Sequence, residues 1–379
     1  MTSGGGPAPV SLWPLRCSNC RRTPPEGSFP HRCPHCQGLY ELSSPIDFVP
    51  PTSSERRGLD RYRHLLPLPP EAPLVSLGEG GTPLVGVRVR GRNIYFKCEH
   101  LNPTGSFKDR GSAVLVSALM AAGVRQAVED SSGNAGASFA AYTARAGLHA
   151  RVFIPDSTSP AKRAQIEAAG AEVVSVLGPR TAAAEAVQRE AAAGAVYASH
   201  AYLPLGQAGL ATLAYEVVEQ LGGAPGSLVL PVGHGTLLLG CAAGFESMRS
   251  AGLIDRLPQL IAVQVEACAP LWAVLTGGAA GLAWVREGPT RAEGIRILQP
   301  LRGDAVLRAV EGSLGTIVPV SEKQIDEGEH ELGRLGFYVE PTSAVVWPAA
   351  LELLDRLPDP IVLVLTGSGY KTPAPDIRP

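Results

Sequence analysis

The chain has 379 residues, of which 45% are hydrophobic and 18% charged, with a formal net charge of −2 at pH 7. This is the composition of a globular protein rather than a disordered one, and without a basic excess there is no field to attract a phosphate backbone. No apolar run reaches the roughly 18 residues that span a bilayer. The start, from Met1 to Leu15, is rich in Gly and Pro without a charged region followed by an apolar one. A cytoplasmic protein acting on small molecules is the expectation, with neither nucleic acid nor membrane as partner.

In chain order, the first feature is a cysteine cluster. Cys17, Cys20, Cys33 and Cys36 form C-x2-C, twelve intervening residues and C-x2-C, whereas Cys98, Cys241 and Cys268 are scattered through apolar segments. The clustered spacing is that of a four-thiolate zinc site, closed and therefore structural. Two disulfides are the alternative, disfavoured in a non-secreted chain with three further thiols. Residues 1–42 thus read as a zinc-ribbon-like module whose metal supplies most of its stability, and 43–74 as a Ser/Pro-containing linker. The module carries Arg16, Arg21, Arg22, His31 and Arg32. A nucleic-acid or protein-binding role is the remote alternative to a solvated face.

From residue 75 to 379 short apolar runs alternate with Ala-rich helical stretches. The runs 126–129, 151–155, 172–177, 195–199, 228–232, 261–266 and 361–366 read as strands, and 112–122, 137–146, 161–169, 181–193, 206–221 and 238–248 as helices. The βαβα order predicts an α/β fold with mainly parallel sheet and ligands at the carboxyl ends of strands.

Four loops lie at such ends. Asn102-Pro103-Thr104-Gly105-Ser106-Phe107-Lys108-Asp109-Arg110-Gly111 puts one of only five lysines at a helix start. The helix N-terminus and burial both disfavour the ammonium there, which favours a reactive neutral amine; an exposed cap lysine is the alternative. Asp130-Ser131-Ser132-Gly133-Asn134-Ala135-Gly136, between a strand and a helix, is suited to a carboxylate, or is a plain N-cap. Gly233-His234-Gly235-Thr236-Leu237 is a phosphate cup or a tight turn, with neither the dinucleotide fingerprint nor a nucleotide P-loop ending. Leu365-Thr366-Gly367-Ser368-Gly369 ends the last strand with hydroxyls. A phosphate cup without nucleotide machinery fits pyridoxal phosphate (PLP).

At these residues the chain resembles the tryptophan synthase β superfamily, the type II PLP fold, and within it the threonine synthases. The likeness runs from about Leu77 to Lys371. It includes Gly80-Gly81-Thr82-Pro83-Leu84, the lysine segment, residues 131–134, Phe153-Ile154-Pro155, the glycine loop, Glu340-Pro341-Thr342-Ser343-Ala344 and residues 366–369. The resemblance implies two α/β/α subdomains, the smaller roughly 110–200, with the active site between them, and a homodimer. It implies that Lys108 carries PLP as a Schiff base, that Asn134 bonds the phenolic oxygen, and that Gly233, His234, Gly235, Thr236 and Leu237 hold the phosphate. Thr366 would meet the ring nitrogen, and Ser131, Ser132 and Gly133 the substrate carboxylate. The implied activity is a lyase making L-threonine and phosphate from O-phospho-L-homoserine and water.

Two departures bear on the substrate. Thr236 stands where glycine is usual. Where threonine synthases carry a stretch like Asn-Ser-x-Asn-Pro-x-Arg for the substrate phosphate, this chain has Ala198-Ser199-His200-Ala201-Tyr202-Leu203-Pro204. His200 and Arg296 are the candidates to replace that arginine, and a core or capping role is the alternative for both. Serine or threonine dehydration, or β-replacement on another small amino acid, is the second reading.

Overall fold

The computed structural model describes residues 13–52 and 55–371. Residues 1–12, with most of the Met1 to Leu15 segment and the start of the predicted module, and residues 372–379 of the predicted catalytic domain lie outside the described residues.

Among the described residues, twelve strands form three sheets. Strands β1 (Leu15–Cys17) and β2 (Tyr40–Leu42) pair antiparallel and bracket the cysteine cluster. Strands β3 (Leu84–Val89), β4 (Arg92–Lys97), β9 (Ser227–Pro231), β10 (Gln259–Val265), β11 (Thr316–Val320) and β12 (Ile361–Val364) form a six-stranded sheet. Its order is β11-β10-β9-β12-β4-β3, parallel except for the β3–β4 hairpin at one edge. Strands β5 (Gln126–Glu129), β6 (His149–Pro155), β7 (Glu172–Val176) and β8 (Val196–Tyr197) form a smaller, wholly parallel sheet of order β7-β6-β5-β8.

The parallel strands follow from their sequences. β9 and β12 are buried at every residue, as strands covered on both faces must be, and their runs are continuously apolar. The β3–β4 hairpin lacks that signature, because β3 is a half-exposed edge. It is closed by Arg90 and Gly91, both at positive φ (47° and 84°), the two-residue turn whose twist matches the flanking strands.

The helices used below are α1 (Lys108–Ala121), α2 (Asn134–Ala146), α3 (Pro160–Ala168), α4 (Arg180–Ala192), α5 (Leu205–Leu221) and α6 (Thr236–Ser250). α5 is buried over nearly its whole length because it packs against both α1 and α6, tying the smaller sheet's helices to the larger sheet. No helix among the described residues is long and apolar enough to cross a membrane.

The segment expected as a linker is a packed strap. A 3-10 stretch, Gly58–Leu65, buries Leu59, Tyr62 and Leu65. The rings of Phe48 and Tyr62 lie 4.9 and 5.3 Å from that of Tyr215 on α5, and Val75 N donates to Ser117 Oγ on α1 at 2.8 Å. Too few apolar residues at too irregular a spacing had concealed this docking.

Candidate active site

Lys108 opens α1, and its position is fixed by the loop before it. Phe107 N donates to Thr366 O (3.0 Å), Ser368 N to Gly105 O (2.9 Å) and His100 N to Leu365 O (2.8 Å), so the lysine loop and the last strand's loop are stitched together. Asp109 closes the turn by accepting from Thr104 N (2.7 Å), Thr104 Oγ1 (2.5 Å) and Ser138 Oγ of α2 (2.7 Å). Burial pushes the Lys108 amine down to about 7, assisted by Arg180 and opposed by Glu129 and Glu340. A substantial neutral-amine fraction therefore exists at neutral pH, as a carbonyl-capturing lysine needs.

Two positions further on, Arg110 is completely buried. It makes paired bonds to Glu99 (Nε–Oε2 and Nη2–Oε1, both 2.7 Å) and to Glu216 of α5 (Nη1–Oε1 and Nη2–Oε2, both 2.7 Å). Lys97 completes the network, with Nζ donating to Glu216 Oε2 at 2.6 Å and to Thr82 O at 2.8 Å. Two buried cations face two buried anions with their hydrogen-bonding capacity largely met, the condition under which buried charge is tolerated. The Lys-Asp-Arg sequence thus divides its work: Lys108 faces the cavity, while Asp109 and Arg110 anchor its helix.

The cavity over Lys108 is lined by Glu129, Ala135, Ala198, His200 and Thr236, among others. Lys108, Asn134 and Thr236 are the first residues of α1, α2 and α6, so three helix N-termini open toward one region. Their unsatisfied N–H groups and dipoles favour anions. Gly235 turns the chain into α6 at φ +80°, and a Cβ there would stand 2.2 Å from Val306 Cγ2. His234 Nδ1 is buried without a hydrogen-bond partner. Burial, then His200 and Lys108, push that imidazole down to about 3, so it is neutral at pH 7. A neutral orphaned ring nitrogen beside the start of α6 fits the phosphate end of PLP.

The 131–134 turn is built from the end of β5. Ser131 N donates to the Glu129 carboxylate and Gly133 N to Ser131 Oγ (3.3 Å). Gly136 lets the helix start this close, since a Cβ there would meet Ser131 O at 1.8 Å. Asn134 Nδ2 reaches across to Glu340, 2.9 and 3.0 Å from its two oxygens, joining the smaller sheet's helix to the larger sheet's loops. Thr366 Oγ1 lies 2.9 Å from Ser343 Oγ, which also accepts from Gly367 N at 2.7 Å.

The sequence did not single out Glu129, Arg180 or Lys371, and gave Asp130 only as the start of the 130–136 loop. Burial and the adjacent Glu129 push Asp130 up to about 6, and burial raises Glu129 as well. His200 Nδ1 sits 3.8 Å from Glu129 Oε1 in the cavity wall. Arg296 does not line this cavity and pairs with Glu287 at 3.6 Å. Lys371 Nζ is buried without a hydrogen-bond partner, its charge facing Glu340 and Asp109. Cys98 and Cys241 are buried, and burial pushes their thiols up to about 11 and about 12, so both are inert.

The four clustered cysteines converge apart from this cavity, with all Sγ atoms within 4.8 Å of one another. The Cys17–Cys36 and Cys20–Cys33 Sγ separations are 3.4 and 3.6 Å, and all seven thiols are free. A tetrahedral zinc with Zn–S bonds near 2.3 Å requires sulfur atoms about 3.8 Å apart. Both C-x2-C turns share one backbone plan. Arg21 N bonds Cys17 O and Gln37 N bonds Cys33 O, while Cys17 N bonds Arg22 O and Cys33 N bonds Gly38 O. Arg21 and Gln37 both adopt positive φ.

A family model described as pyridoxal-phosphate dependent enzyme matches residues 75–367. Among curated proteins, the threonine synthase of Methanocaldococcus jannaschii is 32% identical over 96% of this chain and 94% of its own length. That of Synechocystis sp. is 34% identical over 88% of each. Among solved structures, a threonine deaminase from T.th. superposes with a TM-score of 0.62 at 29% identity, covering 79% of this chain and 94% of that one. On these matches, and with a lysine, a glycine loop and three helix starts around one cavity, the chain belongs to the pyridoxal-phosphate dependent enzymes.

Proposed function

We propose that the protein is a threonine synthase-like, PLP-dependent lyase that converts O-phospho-L-homoserine and water to L-threonine and phosphate. The observation that carries the reading is Lys108, an amine pushed down to about 7 at the start of a helix, in the cavity onto which the glycine loop also opens, in a chain whose full-length relatives bear the name threonine synthase.

The residues present fit the cofactor: Lys108 for its aldehyde, residues 233–237 for its phosphate, Asn134 for its phenolic oxygen and Thr366 for its ring nitrogen. Bound there, PLP withdraws electrons from the substrate's Cα and stores the charge that builds up. Thr366 offers a neutral hydroxyl rather than a carboxylate and so does not hold the ring nitrogen protonated, which favours elimination and replacement over transamination. Ser131, Ser132 and Gly133 receive the substrate carboxylate at the α2 N-terminus. Lys108, freed as a neutral amine, carries protons at Cα and Cβ. Phosphate leaves from Cγ and water adds at Cβ, so the atoms of substrate and water equal those of threonine and phosphate. The cysteine cluster, residues 1–42, holds a structural zinc, residues 75–379 form the catalytic domain, and the enzyme works as a homodimer.

One observation favours a second reading, dehydration of serine or threonine. The wall segment 198–204 brings His200 rather than an arginine to the cavity, where its Nδ1 lies 3.8 Å from Glu129 Oε1. Incubation with O-phosphohomoserine, serine and threonine in turn separates the two. Threonine and phosphate in equal amounts are expected from the first substrate. Release of 2-oxo acid and ammonia from serine or threonine, with O-phosphohomoserine untouched, would replace the first reading by the second. Lys108→Ala is expected to abolish both activities and the cofactor's covalent absorbance band.

A further inference from the structure

The cysteine module does not hang free of the catalytic domain. Its His31 ring lies edge-on to two tyrosines that flank the cavity-lining Ala198 and His200, 5.5 Å from Tyr197 and 5.4 Å from Tyr202, which are themselves 5.5 Å apart. The Arg32 guanidinium stands 5.3 Å over the Tyr202 ring. Arg302 Nη2 donates to Tyr40 O of the module and to Tyr202 O of the wall, both at 2.9 Å.

These contacts fall on the segment that carries Ala198 and His200 into the cavity. Tyr197 also reaches the other side of the site. Its hydroxyl, buried at the end of β8, donates to Asp130 Oδ1 at 2.8 Å, and Asp130 immediately precedes the 131–133 turn. The ring of Tyr197 is therefore gripped by the module while its hydroxyl holds the turn.

We infer that His31 and Tyr197 are positioning residues: the cysteine module, through His31 against the Tyr197 ring and the Tyr197 hydroxyl on Asp130, sets the geometry of the 131–133 turn. The effect on substrate rests on the reading that this turn receives the substrate carboxylate; the mechanical link does not. Cofactor contacts at Lys108 and residues 233–237 are made by other elements, whereas Asn134 directly follows the turn and is held from the far side by Glu340. A loosened turn costs substrate affinity, since losing one hydrogen bond to a charged carboxylate weakens binding about tenfold or more.

The test compares PLP-loaded wild type, His31→Ala, His31→Phe, Tyr197→Phe and the His31→Ala/Tyr197→Phe double variant. Hydrogen exchange by mass spectrometry reads the backbone of residues 129–136 and 233–240, and absorbance titrations with O-phosphohomoserine and L-serine read affinity. Faster exchange at 129–136 is expected in His31→Ala and Tyr197→Phe, with 233–240 unchanged. The amino acid that perturbs the wild-type spectrum should bind about tenfold more weakly or worse in both variants. His31→Phe, which keeps an edge-on ring, should restore wild-type behaviour. Because both residues act through one link, the double variant should be no worse than the weaker single. Unchanged exchange at 129–136 in Tyr197→Phe, or a His31→Ala that lowers only the melting temperature, would overturn the inference. So would multiplying effects in the double variant. Should His31→Ala not fold, Tyr197→Phe and His31→Phe still decide. A wild type that responds to neither amino acid would refute the proposed activity, while the exchange data would still decide the link.

Discussion

Lys108 and Arg110 stand two positions apart and serve opposite purposes: Lys108 is half-buried at the cavity, whereas Arg110 is completely buried. Burial lowers the Lys108 pKa to about 7, so protons leave the folded-state amine well before they leave an unfolded one near 10.5. Capture of added PLP by the cofactor-free protein should therefore accelerate as pH rises through about 7 and level off above it; stopped-flow absorbance across pH 5.5–9 measures this, and a midpoint near that of a free lysine would refute it. Arg110 instead keeps its charge. Its replacement by Met leaves Glu99 and Glu216 buried without their principal partner, which should cost about 3–5 kcal/mol of stability by urea unfolding. Despite burial, which raises it, the charges of Arg110 and Lys97 hold Glu216 down to about 2. This depressed carboxylate contributes stability in full above its ordinary value of 4.5 and loses it as pH falls toward about 2. The acid-unfolding curve should lose that contribution in Glu216→Gln.

At the level of elements, the site is made by where helices begin. α1, α2 and α6 each start with a residue of a predicted loop, and each start is forced by local chemistry: the Asp109 turn, the Ser131 carbonyl packed against Gly136, and Gly235 at positive φ. Gly235→Ala meets both a left-handed backbone and Val306 Cγ2 at 2.2 Å. It should lose at least about 1–2 kcal/mol of stability from the backbone alone and weaken PLP binding, as read by melting temperature and cofactor titration. The predicted strands and helices lie where the sequence put them to within a few residues at most ends, because buried parallel strands are continuously apolar and the helices between them are Ala-rich. The β3–β4 hairpin was not legible, since an edge strand with exposed Val85 and Arg88 carries no such run.

For the whole molecule, the cysteine module shares a core with the catalytic domain: Trp13, Phe29 and Tyr40 belong to the same buried cluster as Val114, Leu119 and Ala198. The zinc proposed for it should therefore matter beyond residues 1–42. A strong chelator should release about one zinc per chain, measured with a colorimetric dye, and lower the melting temperature of the catalytic domain as well. A module that unfolds alone, leaving the main transition unmoved, would refute this. The same shared packing holds 43–74 against the rest of the molecule: Phe48, Leu59 and Tyr62 each find a partner surface that exists only once α5 is in place.

The sequence by itself determined the α/β order, the loops that gather at the cavity and the C-x2-C pairs, because each depends on residues near one another in the chain: apolar runs, glycine turns, fixed spacings. Set beside the threonine synthases it resembles, it also departs at residues 198–204, where their stretch carries an arginine. Only the tertiary structure decided what surrounds Lys108. The Arg110 network, Glu340 on Asn134, His200 beside Glu129, and His31 against Tyr197 join residues from 11 to 206 positions apart. Burial and pairing at that range arise from packing, and packing sets the lysine's pKa and the shape of the wall it faces.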